Sequence, residues 1–187
     1  MNQAKLTHID EKGASRMVDV GEKKITERIA IAHARVTMKP ETFGLIMDKK
    51  AAKGDVLEVA RVAGIMGAKR TSELIPMCHP LNINSVKIDY TNNNQDSIEI
   101  MSEVKVTAKT GVEMEALTAV SVCALTIYDM CKSADRSMSI SDIYLAKKSG
   151  GKSGLYARID GQVYMWIRPA LVRSPSIRHA GVLRSGP

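Results

Sequence analysis

Asp129 and Lys132 stand three residues apart in the segment TIYDMCK. On a helix that spacing puts a carboxylate and an ammonium on one face of one turn, an acid and a base within reach of each other. An ordinary ion pair has the same spacing and contributes little to stability. What points to chemistry is their place at the end of an otherwise apolar run, where partial burial would move both pKa values toward neutrality. Glu115 lies fourteen residues before Asp129, about 21 Å along a helix axis and close to the same face. Two carboxylates so far apart cannot serve one small substrate from a single helix unless the substrate is long or subunits share the site.

Met77-Cys78-His79 is held between Pro76 and Pro80. The two prolines fix the backbone, which presents the imidazole of His79, a proton carrier near neutral pH, in one direction. Cys and His also bind zinc, but the second ligand pair is missing. Cys123 and Cys131 are eight residues apart, off the three- or four-residue spacing that shares a helix face, so no metal site is expected. The run KSGGKSG, Lys148 to Gly154, resembles the end of a phosphate-binding loop. The full motif needs a glycine where Ala146 stands and a helix afterwards, which argues against a nucleotide triphosphatase. A glycine-rich turn flanked by Lys148 and Lys152 can still wrap N–H groups and ammonium charges around a phosphate.

The element that must position most of these groups is a helix over Lys109–Lys132. Thr110 followed by Glu113 reads as a capping box, which starts the helix at Thr110. Apolar residues then recur from Met114 through Leu117, Val120, Ala124, Leu125, Ile127 and Tyr128, with small residues between, which predicts a helix buried nearly all round. Upstream, Arg28 to Met38 alternates and predicts a strand whose face Ala30, Ala32, Ala34, Val36 and Met38 is buried. Pro40 opens a short helix and Asp55 caps the next. That second helix has Val56, Val59, Val62, Ala63, Met66 and Leu74 as its apolar side and ends at Ile75-Pro76, with Gly64 and Gly67 inviting close approach of a neighbour. Ser85 to Tyr90 and Ile98 to Val106 form a hairpin around the Asn92–Asp96 turn, and Ser139 to Lys147 is the last strand. The order predicts an α+β fold, ferredoxin-like, with helices packed on one face of a mainly antiparallel sheet.

Residues 1–27 are polar and read as an arm that orders against the rest of the assembly. Residues 28–154 form the α+β domain. Residues 155–187 lose Lys and Glu, gain Pro and Gly, and read as an atypical, disordered tail. The net charge of +7 splits into +4 on that tail and +3 on the rest, and the chain has one Phe and one Trp. A basic RNA-binding module, the alternative from another class, would have few aromatics on which to stack bases. A site for one anionic small molecule fits better. No run approaches the roughly 18 consecutive apolar residues of a membrane span and the N-terminus has no signal-like apolar region, so a cytoplasmic protein with reduced thiols is expected.

Five strings together carry a resemblance: MVDV (Met17–Val20), KGDV (Lys53–Val56), AKRTSELIPMCHPL (Ala68–Leu81), the whole of Lys109–Lys132, and KSGGKSG. In order and spacing, from about Thr7 to Gly154, the chain resembles the cyclic pyranopterin monophosphate synthases of molybdenum cofactor biosynthesis. After Gly154 it departs from them. The resemblance implies a ferredoxin-like subunit in a homo-hexamer, a trimer of dimers with active sites at the dimer interface. It implies conversion of (8S)-3′,8-cyclo-7,8-dihydroguanosine 5′-triphosphate to cyclic pyranopterin monophosphate, with loss of pyrophosphate and no redox cofactor. It also places substrate contacts on Met77, Cys78, His79, Met114, Glu115, Lys148 and Arg28, and catalysis on Asp129, Lys132 and Lys53. The chemistry suits these residue types: proton transfers at the ring by Asp129, Lys132 and Lys53, and charge neutralisation of the phosphates by Lys148, His79 and Arg28.

Overall fold

The computed structural model describes residue 9, residues 13–51 and residues 54–158. Lys53 and residues 159–187 of the predicted tail lie outside the described residues. Among the described residues nine elements follow one another: β1 (Thr26–Thr37), α1 (Pro40–Met47), α2 (Val56–Lys69), α3 (Thr71–Leu74), β2 (Ser85–Asn92), β3 (Ser97–Ala108), α4 (Glu113–Cys131), β4 (Ser139–Ser149) and β5 (Tyr156–Ala157). The strands form one sheet in the order β2-β3-β1-β4-β5 with every neighbouring pair antiparallel. β3 lies between β1 and β2, and β1 lies between β3 and β4. Two split β-α-β units therefore interlock, which is the ferredoxin-like α+β arrangement, extended at one edge by the short β5.

The alternation in β1 does what its pattern predicts. Ala30, Ala32, Ala34, Val36 and Met38 are all buried under the helices, and three alanines in a row on that face let α4 lie close to the strand. The other face carries charge: His33 Nε2 lies 2.6 Å from Glu99 Oε2, and Arg35 pairs with both Glu99 and Asp142. The hairpin turn is held by Asn93, whose Oδ1 accepts from the N–H groups of Gln95, Asp96 and Ser97, while Asn94 takes a positive φ. Pro40 opens α1 as expected, and the Asp55 carboxylate accepts from the Glu58 N–H at the start of α2.

Three details differ from the sequence expectations. α2 ends at Lys69, and α3 follows as a separate turn. More consequentially, α2 buries only part of the side predicted. Val56 is inward as expected, but the rest of the inward side is Ala60, Gly64, Gly67 and Ala68, while Val59, Val62 and Met66 are exposed, as is Leu74 on α3. Size decides here rather than hydrophobicity, because the neighbouring helix comes too close for larger groups. A Cβ at Gly64 would stand 2.8 Å from the Ala119 carbonyl oxygen, and one at Gly67 would stand 2.8 Å from Val122 Cγ2. The predicted close approach at these glycines is real.

The third concerns α4, which begins at Glu113 with Val112 as its N-cap and no side-chain cap. Thr110 and Glu113 thus form no capping box, because Glu113 is the first helical residue rather than the third and its carboxylate pairs elsewhere. α4 packs on β1, β3, β4 and α2. Its length and apolar composition would allow it to cross a bilayer, but half of it is buried within the domain. It is nonetheless not buried all round, since Leu125 is exposed. The loop after α4 is tied back to α1 by the buried Asp135, which accepts from the Lys39 N–H at 2.8 Å and from the Ser137 hydroxyl at 2.6 Å.

Candidate active site

A cleft of about 540 Å³ opens beside the N-terminus of α4. Five separate stretches wall it: the arm residues Val18, Val20 and Lys23, the first turn of β1 at Arg28, the 77–81 segment, residues 109–115, and the end of β4 with its glycine turn. Seven of the ten residues singled out from the sequence line this one cleft, namely Arg28, Met77, Cys78, His79, Met114, Glu115 and Lys148.

Arg28 is fixed by the β1–β3 pairing, which brings the end of β3 alongside it. Its Nε and Nη2 donate to the carbonyl oxygens of Ala108 and Lys109, each at 3.0 Å. The glycine turn after β4 closes on the same guanidinium. Gly150 and Gly151 both have positive φ, and a Cβ on Gly151 would fall inside the Arg28 guanidinium. The SGG sequence is therefore required by close approach as well as by the turn. Lys148 Nζ lies 3.1 Å from Glu113 Oε1 and donates to Ser153 Oγ at 3.1 Å.

The arm is drawn into the site by Lys109, whose ammonium donates to the Gly21 carbonyl oxygen. A local turn shapes it: Asp19 Oδ1 accepts from the Gly21 N–H at 2.7 Å, and the Lys23 N–H donates to the Val20 carbonyl at 3.1 Å. Arm residues 18–23 thus order against their own chain and supply Lys23 to the cleft.

Glu115 is 4% exposed. Burial, reinforced by the charge of Glu113, pushes its carboxyl up to about 7. Such a group can accept or donate a proton near neutral pH. The Cys78 thiol is raised too, by burial first and by Glu115 second, so it is not an activated nucleophile. The cleft therefore offers cations for phosphates, a titratable carboxyl, and apolar surface from Val18, Val20, Met77, Leu81 and Met114 for a planar ring. Among the described residues, no group of three or more His, Cys, Asp or Glu side chains converges as metal ligands.

Asp129 and Lys132 are not in this cleft. They sit at the opposite end of α4, where Lys132 Nζ donates to Asp129 Oδ1 at 2.6 Å. Both side chains are more than half exposed, so the expected partial burial is absent within one chain. The bond to Asp129 raises the Lys132 pKa rather than lowering it toward neutrality. Lys53 lies outside the described residues.

Lys23, Lys109 and Glu113 belong to the cleft without having been singled out for it. Spacing alone reads Glu113 as a cap residue and Lys23 as part of the polar arm. Their only signal in the sequence is proximity to the MVDV and KTGVEME strings.

The model of the MoaC family matches residues 17–151. A protein of Syntrophomonas wolfei is 63% identical over 153 residues, which span 81% of this chain and 98% of the relative. One of Heliobacterium modesticaldum is 61% identical over 154 residues, 82% of this chain and 97% of the relative. One of Thermomicrobium roseum is 57% identical over 160 residues, 85% of this chain and 96% of the relative. All three carry the name cyclic pyranopterin monophosphate synthase. The RNA-binding alternative finds no support among these matches.

Proposed function

The chain belongs to the MoaC family, and from that premise we propose that it is a lyase of molybdenum cofactor biosynthesis. It converts (8S)-3′,8-cyclo-7,8-dihydroguanosine 5′-triphosphate to cyclic pyranopterin monophosphate and releases pyrophosphate. The observation that carries this reading is the cleft itself, where Lys23, Arg28, Lys109 and Lys148 surround space beside a buried carboxyl and an apolar wall. The cations match a triphosphate, and the apolar wall with Glu115 matches a guanine-derived ring.

In this reading Arg28, Lys148 and His79 hold phosphates, while Met77, Cys78, Met114 and Glu115 contact the ring and sugar. Asp129, Lys132 and Lys53 move protons at the ring. The assembly is a homo-hexamer, a trimer of dimers, in which Asp129 and Lys132 of one subunit complete the cleft of another. The distance between the two ends of α4 supports sharing, since one small substrate cannot bridge them along one helix. An apolar strip supports assembly: Val59, Val62 and Met66 repeat on the outer side of α2 and remain exposed with Leu125 of α4. The reaction takes place in the cytoplasm and needs no redox cofactor.

The test is direct. Purified protein mixed with the cyclic guanosine triphosphate substrate should release pyrophosphate and form cyclic pyranopterin monophosphate. No release under conditions where a curated relative turns over would sink the assignment.

A further inference from the structure

One charge in the cleft opposes the rest. Glu113, the first residue of α4, points its carboxylate into a site otherwise built to attract anions, and lies 3.1 Å from the ammonium of Lys148. Its charge suits the first turn of α4, but that role needs no contact with Lys148; it caps no helix, and both partners of the ion pair retain over a quarter of their side-chain exposure. Its position also depends on Gly111. A Cβ there would overlap the whole Glu113 carboxylate, while Gly111 has no positive φ that would itself require glycine. The glycine is thus explained by the space the carboxylate occupies.

We propose that Glu113 is a built-in counter-anion for Lys148, a positioning residue that holds the ammonium toward the empty cleft, yields it to a substrate phosphate, and reclaims it to help pyrophosphate leave. The proposal rests on the phosphate-releasing reading of the site given above. An ammonium with no partner would fold back or bind stray anions, and one bound too tightly to pyrophosphate would hold the product. A nearby carboxylate avoids both outcomes, because it competes with phosphate for the same three N–H donors of Lys148. Competition of this kind is a negative coupling between Glu113 and the anion. Ser153 Oγ, the second partner of Lys148, keeps the side chain in place during the exchange.

Two variants reach the same contact by different routes. Glu113→Gln removes the charge and keeps the shape. Gly111→Ala keeps the charge and pushes the carboxylate away, at small cost because the obstructing atoms are the far end of a flexible side chain. Inorganic pyrophosphate binding to each full-length protein is measured by calorimetry, and steady-state turnover is measured alongside. Both variants should bind pyrophosphate about fivefold or more tightly, a coupling of ordinary size. KM and kcat should both fall, as expected when product release becomes slower. The double variant should bind pyrophosphate no more tightly than Glu113→Gln alone, because both changes act through one contact.

Weaker or unchanged pyrophosphate binding in Glu113→Gln overturns the proposal. So does tight binding in Glu113→Gln with none in Gly111→Ala, which would mean that the charge acts at a distance and not through Lys148. Because pyrophosphate binding is read without turnover, failure here is distinguishable from failure of the assigned reaction, which shows as no product from the cyclic triphosphate.

Discussion

Lys132 Nζ lies 2.6 Å from Asp129 Oδ1 on the exposed last turn of α4, at the far end of the helix from the buried Glu115. A pair this exposed does little for the fold. Asp129→Asn should therefore leave the thermal melt unchanged. If Asp129 moves a proton at the ring, the same variant should lose about 10²- to 10⁴-fold in turnover. Parallel melting and pyrophosphate-release measurements check this, and normal turnover would remove Asp129 from the mechanism.

Sharing of the site between subunits predicts complementation. Asp129→Asn damages one end of α4 and Glu115→Gln the other. In a mixed dimer, one site inherits both defects and the other inherits neither. Each variant alone should be nearly inactive, yet a refolded equal mixture should recover about a quarter of the wild-type activity, because half the random dimers are mixed and half their sites are intact. No recovery, with mixed assemblies confirmed by mass, would place the whole site within one chain.

Glu115 makes stability depend on pH in a defined direction. Burial raises its pKa from 4.5 to about 7, so between those values the folded chain binds the proton more tightly than the unfolded chain. Stability from this group is present in full below 4.5 and is lost as pH rises through 7, on the order of 1–3 kcal/mol in total. Urea unfolding from pH 5 to pH 8 should show the loss in wild type and a flatter profile in Glu115→Gln. Equal slopes for the two proteins would mean that the carboxyl is charged and solvated in the fold.

What the sequence disclosed and what it hid follow from the range of the interactions. The alternation of Ala30 to Met38 and the Asn92–Asp96 turn are local patterns, and both were readable. Most of the inward side of α2 was not, because hydrophobicity favours Val59, Val62 and Met66, whereas Ala60, Gly64, Gly67 and Ala68 face inward beside Val56 and α4 leaves no room for a Cβ at Gly64 or Gly67. Glu113 fitted a capping box three residues after Thr110, but the helix starts at Glu113 and leaves the carboxylate for Lys148, thirty-five positions away. The cleft was legible only as a set of strings. That Lys23 and Lys109 join it depends on the Lys109 bond to Gly21, a contact across 88 residues that no local spacing encodes.

The packing of α2 on α4 predicts an order of stability for three glycine-to-alanine changes. Any helical Gly→Ala gains about 0.5–1 kcal/mol from reduced backbone freedom. At Gly44, in α1, the new Cβ meets nothing within 4 Å, so the gain should appear in full. At Gly67 it meets only the side chain of the half-buried Val122. That side chain can yield slightly, but its β-branched rotamer limits how far, so the gain should be cancelled or reversed. At Gly64 the new Cβ stands 2.8 Å from the Ala119 carbonyl oxygen and 3.3 Å from Cys123 Cβ. A backbone carbonyl inside α4 cannot turn aside without breaking its helix, so the two helices must part. Overpacking of this kind costs about 1–3 kcal/mol, more than the propensity gain. Urea midpoints should fall in the order Gly44→Ala, wild type, Gly67→Ala, Gly64→Ala. A Gly64→Ala midpoint at or above wild type would show that α2 and α4 are held apart by more than the structure records.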